Sequence, residues 1–237
     1  MHNPIKNILL EFLFPQECIG CKKPEISLCE SCIMHVMKSE LSCFACGARN
    51  QSATFCISCK NKFPFLTRIV AGSFYHDPII KESIARFKYA SEHALKSPLS
   101  TVMVPPFKKV LQGINREERA RIYITPIPLF KKRMRMRGYN QAELLAKEIA
   151  SVTHIPLLPH ATLQRIHNTK PQASLSKDDR KENVKDAFTV SYSPSITKST
   201  IVLVDDVATT GNTLIEAARI LKQNGAKEVW GLVVAKG

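Results

Sequence analysis

IVLVDDVATTGNT, residues 201–213, runs four apolar residues into two adjacent carboxylates and then into a loop of small, hydroxyl-bearing residues around one glycine. Residues 201–204 have the character of a fully apolar strand, and a helical pattern follows over about residues 213–223, closed by Asn224-Gly225. Backbone N–H groups at a helix start are unpaired and carry the positive end of its dipole, so they suit a phosphate monoester. Ala208, Thr209, Thr210, Gly211, Asn212 and Thr213 supply that cradle: the threonines add hydroxyl donors, and Gly211 lets the backbone come close. Asp205 and Asp206 would repel a phosphate, so they serve another part of the ligand. Paired acceptors beside a phosphate cradle match the vicinal hydroxyls of a sugar. The residues alone therefore imply a sugar phosphate at a strand tip; the bland alternative is an ordinary strand–turn–helix.

Outward from this stretch, β-rich runs alternate with helical segments. Residues 67–75 (TRIVAGSFY), 121–125 (RIYIT) and 228–234 (EVWGLVV) read as strands, with Trp230 a core residue. Residues 79–90 carry a helical period with Ile80, Ile84 and Phe87 on one side, and residues 140–151 another with Leu145 and Ile149 inward. Between them lies a helical region, 94–112, interrupted at Pro105-Pro106. Such repetition predicts a parallel sheet with helices on both faces. In open α/β sheets ligands bind at the carboxyl ends of the strands, where both the opening stretch and residues 126–138 (PIPLFKKRMRMRG) lie. Residues 165–185 form a long, polar, cation-rich connection between strand-like runs at 161–164 and 187–190, and a loop of that length in a compact domain usually has a function.

All eight cysteines precede residue 60, as Cys18/Cys21, Cys29/Cys32, Cys43/Cys46 and Cys56/Cys59. The two-residue gap lets both thiolates of a pair point at one metal, and two such knuckles complete a four-thiolate zinc site. Eight ligands make two sites. A disulfide framework is the rival, but it belongs to secreted chains, and MHNPIKNILLEFLFPQE lacks the features of an export signal. Short gaps favour sequential pairing, Cys18, Cys21, Cys29 and Cys32 on one metal and Cys43, Cys46, Cys56 and Cys59 on the other; interleaved pairing is the alternative. With every position filled by thiolate, the metals are structural. Residues 60–64 (KNKFP) read as the join, which divides the chain into 1–62 and 63–237.

The net charge is 34 − 20 = +14, and the excess sits after residue 62, where 27 basic residues face 15 acidic ones. That favours a polyanionic partner over a merely soluble surface. No apolar run approaches the ~20 residues that span a bilayer. Residues 5–13 give a short helix with Ile5, Ile8, Leu9, Phe12 and Leu13 on one side, to dock on the chain's own core or, more weakly, on a membrane surface. A cytoplasmic chain is expected, with peripheral inner-membrane contact as the alternative.

IVLVDDVATTGNT resembles the thirteen-residue signature of type I phosphoribosyltransferases at every defining position. The resemblance implies that fold, an α/β parallel sheet flanked by helices, and a site for phosphoribosyl pyrophosphate (PRPP) with Mg²⁺. Asp205 and Asp206 would hold the ribose hydroxyls, and Ala208 to Thr213 the 5′-phosphate. LLEFLFPQEC, the four-cysteine module with its two zinc sites, RMRGYNQAELLA, and the positions Arg165, Thr169, Gln172, Leu175, Arg180 and Asn183 extend the likeness to the ComF competence family over nearly the whole chain. This second resemblance implies natural transformation: handling of incoming single-stranded DNA, beside a DNA-translocating helicase. Lys131, Lys132, Arg133, Arg135 and Arg137 put five cations in seven residues, to neutralise a pyrophosphate, to meet DNA, or only to solvate a basic loop. Arg137 and Lys131 are the pyrophosphate candidates, Arg137 preferred because the family pattern includes it. Arg165 and Arg180 are candidates on a closing hood that excludes water; the same segment read as a DNA-binding loop is the alternative. Three readings stay open: a working phosphoribosyltransferase, a DNA handler that keeps the PRPP site, and zinc ribbons serving only as a docking module.

Overall fold

The structure is a computed structural model and describes residues 16–90, 92–167 and 184–237. In chain order its elements are α1 (Glu30–Met34), α2 (Ile57–Lys60), β1 (Arg68–Phe74), α3 (Pro78–Tyr89), α4 (Lys96–Gln112), α5 (Arg116–Arg119), β2 (Ile122–Pro126), α6 (Lys131–Arg137), α7 (Gln141–Thr153), β3 (Leu163–Arg165), β4 (Phe188–Val190), β5 (Thr200–Ala208), α8 (Asn212–Gln223) and β6 (Glu228–Lys236). Four parallel strands form the main sheet in the order β1-β6-β5-β2, and β3 pairs antiparallel with β4 in a separate hairpin.

The two-residue period of the strands divides the core. On β5 and β6, Val202, Val204, Trp230, Leu232 and Val234 pack under α4 and α7, while Ile201, Leu203, Val229 and Val233 pack under α8 and the β3–β4 hairpin. Both layers are apolar, as a parallel sheet covered on both faces requires.

Two expectations are corrected. Helix α4 runs unbroken through Pro105 and Pro106. A helix interior tolerates proline only where the freed carbonyls find another setting. Pro106 has no N–H for the carbonyl of Val102, and that carbonyl lies against Gly72 of β1, where an added Cβ would stand 2.6 Å from its oxygen. The basic run 131–137 is a helix rather than a loop, closed by Gly138 at φ 77° in the left-handed region.

The cysteine module shares both core layers. Cys18, Ile19, Leu28 and Val36 join the layer under α4, and Phe55 joins the other, stacked on Phe63 just beyond the module with ring centroids 4.2 Å apart. Its middle segment runs along the outer edge of β1, where Lys38 bridges Ser73 and the Ser39 N–H donates to the Gly72 carbonyl at 2.9 Å. This covers an edge that would otherwise pair with another chain.

Candidate phosphoribosyl site and metal centres

The strand carrying the acids is longer than expected: β5 extends to Ala208, so Asp205 and Asp206 are its own residues. Successive side chains leave a strand on opposite faces, and the two carboxylates therefore straddle the strand tip. Asp206 turns to the α3 side, where its Oδ1 accepts from Lys88 Nζ at 2.8 Å; the side chains are 9% and 22% exposed. Asp205 faces the hairpin side and interacts with Lys88 and, more weakly, with Arg165 of β3. Its Oδ1 also accepts from the Asp206 N–H at 2.9 Å.

Burial first, and then the charge of Asp206, push the Asp205 carboxyl up to about 7. For Lys88, burial works against the ammonium, but Asp206 and then Asp205 outweigh it and hold the group above its ordinary value. Lys88 was absent from the candidates drawn from sequence. A lone lysine at the end of an amphipathic helix carries no local signal, and only the packing of α3 brings it to an acid 118 positions away.

The segment RGYNQ, residues 137–141, fixes that packing. The Tyr139 hydroxyl donates to the Phe87 carbonyl. Asn140 caps α7, accepting from the Ala142 N–H at 3.1 Å while its Nδ2 donates to the Ile127 carbonyl at 3.0 Å. Gln141 accepts from Arg137 Nη1 at 2.9 Å and reaches the Lys88 carbonyl at 3.5 Å. The Arg137 guanidinium lies 5.1 Å from the centre of the Tyr89 ring. Three successive residues at the end of α3 are thus tied to this turn, and the turn aims Lys88 at the strand tip.

Arg165 stands near Asp205 and Arg137 near Lys88, and Arg133 lies near both arginines: burial and then the Arg137 charge hold Arg133 below its usual value, and burial and then Arg133 bring Arg165 down to about 10. Lys131, by contrast, is exposed on the first turn of α6 and makes no ion pair among the described residues. Residues 168–183, with Thr169, Gln172, Leu175, Arg180 and Asn183, lie outside the described residues. The root of that segment is held to α8, where Glu216 accepts from the Asp186 N–H at 2.9 Å and Arg219 bridges Glu216 and Asp186, both at 2.7 Å.

Beyond the acids, Ala208 ends β5, Thr209 to Gly211 form the turn, and Asn212 and Thr213 open α8. Gly211 sits at the N-cap with φ 76°, a conformation that costs glycine little, and it offers no side chain to cap the first-turn N–H groups. Thr210 Oγ1 is shut away from solvent with no hydrogen-bond partner. An idle donor beside uncapped amides fits a phosphate. Behind the turn stand Phe44 of the cysteine module and Phe63, the first residue after it: a Cβ on Gly211 would meet Phe63 at 3.0 Å and Phe44 at 3.8 Å.

The cysteines pair sequentially, with the sulfurs of Cys18, Cys21, Cys29 and Cys32, and of Cys43, Cys46, Cys56 and Cys59, within 4.8 Å of one another. Sulfur separations of 3.7 Å for Cys18–Cys29, Cys21–Cys29 and Cys46–Cys56 match the edge of a tetrahedron with metal–sulfur bonds of about 2.3 Å. Without a cation the thiols cannot ionise together: Ser58 leads in pulling Cys56 down to about 6, and Cys56 leads in pushing Cys59 up to about 12. Both clusters could hold zinc, which would supply structural cross-linking and no open position for chemistry. Gly20 is required under the first, where a Cβ would lie 2.5 Å from Cys32 Sγ.

The Lys88–Asp206 pair makes a direct prediction. Lys88→Met strands a mostly buried carboxylate and is expected to lower unfolding free energy by about 3 kcal/mol. Adding Asp206→Asn should restore most of that loss, a coupling read from urea unfolding of the four proteins of a double-mutant cycle.

A parallel sheet with paired acids and an uncapped, glycine-led helix start at one strand tip defines the class: residues 140–236 match the phosphoribosyl transferase domain. The chain is 32% identical to "Competence protein F" of Haemophilus influenzae, over 94% of this chain and 98% of that protein. It is 29% identical to "DNA utilization protein YhgH" of Escherichia coli K12, over 92% and 96%, and 28% identical to "Competence protein ComFC" of Bacillus subtilis, over 86% and 81%. The chain belongs to the ComF competence protein family.

Proposed function

We propose that this chain serves DNA uptake in natural transformation, handling incoming single-stranded DNA and binding PRPP with its Mg²⁺ at the tip of β5. In this reading residues 1–62 form a zinc-held module and residues 63–237 the phosphoribosyltransferase-like domain. The observation that carries it is the pair of acids straddling the strand tip directly before an uncapped helix start, in a chain similar almost end to end to proteins named for competence and DNA utilization.

The ribose 2′- and 3′-hydroxyls donate to Asp205 and Asp206, and Ala208, Thr209, Thr210, Gly211, Asn212 and Thr213 wrap the 5′-phosphate. Arg137 and Arg165, with Arg133 and Lys88, carry enough positive charge to receive the pyrophosphate, and Lys131 reaches it only as a peripheral partner. If the site turns over, the bond from the anomeric carbon to pyrophosphate breaks, the cation-like ribosyl centre is shielded by Asp205 and Asp206, and a nucleophile adds. Residues 165–185, Arg180 among them, are suited to keep water from that carbon. A phosphoribosyltransferase of nucleotide salvage with no direct DNA role is the second reading, favoured by the completeness of the strand-tip motif. The described residues contain no helix long and apolar enough to cross a membrane, which suits a protein on the cytoplasmic side, in peripheral contact with the inner membrane and a helicase partner.

Pyrophosphate release from PRPP, measured with and without single-stranded DNA and free bases, separates the two readings. Release that needs a base and ignores DNA would favour salvage. Binding without release supports a retained ligand site, and absence of any PRPP-dependent thermal shift refutes the assignment.

A pH profile tests the site separately. The carboxyl of Asp205 ionises near 3.8 in the unfolded chain and near 7 in the fold, so the ligand-free protein loses stability as pH rises through that window. Ligand hydroxyls require the ionised form. PRPP affinity is therefore expected to fall by up to about tenfold per pH unit below about 7, and Asp205→Asn should bind weakly with a flat profile. A wild-type profile that is flat across the same range would contradict the role of Asp205.

A further inference from the structure

Helix α6 (KKRMRMR) concentrates five cations on seven residues, and like charges at i, i+4 oppose one another, as Arg133 and Arg137 do. The helix has two sides. Arg133 and Arg137 are half-buried and turn to the phosphoribosyl site, whereas Lys132 and Arg135 are exposed and pair with no carboxylate among the described residues. Beside the helix stands Tyr89, 77% exposed at the end of α3, one residue from the lysine that binds Asp206. The Arg137 guanidinium lies over its ring at 5.1 Å, and the clamp by residues 137–141 holds its backbone. A large aromatic ring that is fixed at its root, braced by a cation and left mostly in water contributes nothing to the core.

We infer that single-stranded DNA crosses α6, with Lys132 and Arg135 on its outer side holding phosphates and the ring of Tyr89, on the Arg137 side, stacking a base. The inference rests on the proposal above that the chain handles single-stranded DNA, and adds where it does so. Stacking on an isolated ring needs an unpaired base, which a duplex does not offer. An anionic membrane would share the charge attraction, but the only apolar residues of α6 are Met134 and Met136, 38% and 78% exposed, too little area for anchoring. Since Arg137 both stacks on Tyr89 and stands near Lys88, the partner of Asp206, a strand crossing α6 is led to the phosphoribosyl site.

The test is fluorescence anisotropy with a labelled oligodeoxythymidylate of about 16 nucleotides, long enough for one binding site, over a range of salt. Lys132→Ala with Arg135→Ala should reduce the slope of log affinity against log salt by about 1.4, two contacts at about 0.7 each for a single strand. Tyr89→Ala should weaken binding at least about fivefold at fixed salt, with Tyr89→Phe close to wild type. Lys108→Ala with Lys109→Ala, an equal charge change on α4, should leave both unchanged. Wild-type affinity and slope in the α6 and Tyr89 variants overturn this face while leaving the DNA proposal intact; no binding by the wild type overturns both. Loss of binding to phosphatidylglycerol vesicles with DNA affinity retained would assign the face to a membrane and refute the inference. Photocross-linking of bromodeoxyuridine DNA to the unaltered protein gives an answer independent of any variant: adducts on residues 131–137 or Tyr89 support the face, and adducts confined elsewhere reject it.

Discussion

Asp205→Asn combined with Asp206→Asn is expected to abolish PRPP-dependent stabilisation while leaving the chain folded. Each acid accepts from a ribose hydroxyl in the proposed complex, and a hydrogen bond to a charged group contributes about 1.5–3 kcal/mol. Losing both weakens binding by at least about a hundredfold. Ligand at a hundred times its dissociation constant stabilises the native state by about 2.7 kcal/mol, so a wild-type thermal shift of several degrees should vanish in the double variant. The fold survives because asparagine keeps the volume and because Asp205, pushed up to about 7, is half-protonated at neutral pH without ligand. The Lys88 ammonium loses its charge partner, but 22% of its side chain is exposed and water can reach it. An unchanged thermal shift in this variant would place the sugar elsewhere.

The second large effect concerns metal. Cys43→Ser with Cys46→Ser is expected to release the metal of the second cluster and to unfold the surrounding knuckles, since binding at such sites is itself folding free energy, about 10–16 kcal/mol in isolated zinc modules. The damage should not stop there. Phe44, between the two replaced cysteines, and Phe63, stacked on Phe55, stand behind the left-handed turn at Gly211. The same variant should therefore lose PRPP-dependent stabilisation although neither cysteine meets the ligand. Phe44→Ala separates the causes: it should retain the metal, measured by thiol-blocked zinc release, and still weaken PRPP binding several-fold. If Phe44→Ala binds PRPP as the wild type does, the turn does not depend on the module. Full folding of the cysteine variant without metal would refute the structural role of the cluster itself.

The structure also changes what the RGYNQ segment means. Its arginine stands out in the sequence as a pyrophosphate contact, because cations near a phosphate site attract that role. In the fold, Tyr139, Asn140 and Gln141 are occupied with carbonyls of Phe87, Ile127 and Lys88. These are the bonds of a bracket that sets the end of α3. The residue they deliver to the strand tip is Lys88, which pairs with Asp206 and sits in an otherwise ordinary amphipathic helix.

What the sequence determined by itself is whatever depends on neighbours along the chain. The parallel sheet was legible because apolar runs and helical periods are local patterns, and the strand–turn–helix at its tip because an acid pair, small hydroxyl residues and a glycine are consecutive. The sequential pairing of cysteines followed from short gaps, which favour the nearer closure. Three features were decided only in tertiary structure. Helix α4 continues through Pro105 and Pro106, with the Val102 carbonyl set against a glycine thirty residues earlier. Asp205 and Asp206 part to opposite faces because β5 stays a strand through both, so Asp206 pairs directly with Lys88 while Asp205 interacts with Lys88 and Arg165. Lys88 and Phe44 reach the strand tip from distant segments. The physical reason is common to all three: burial and ion pairing act between atoms that packing brings together, and spacing along the chain does not encode which distant side chain will arrive.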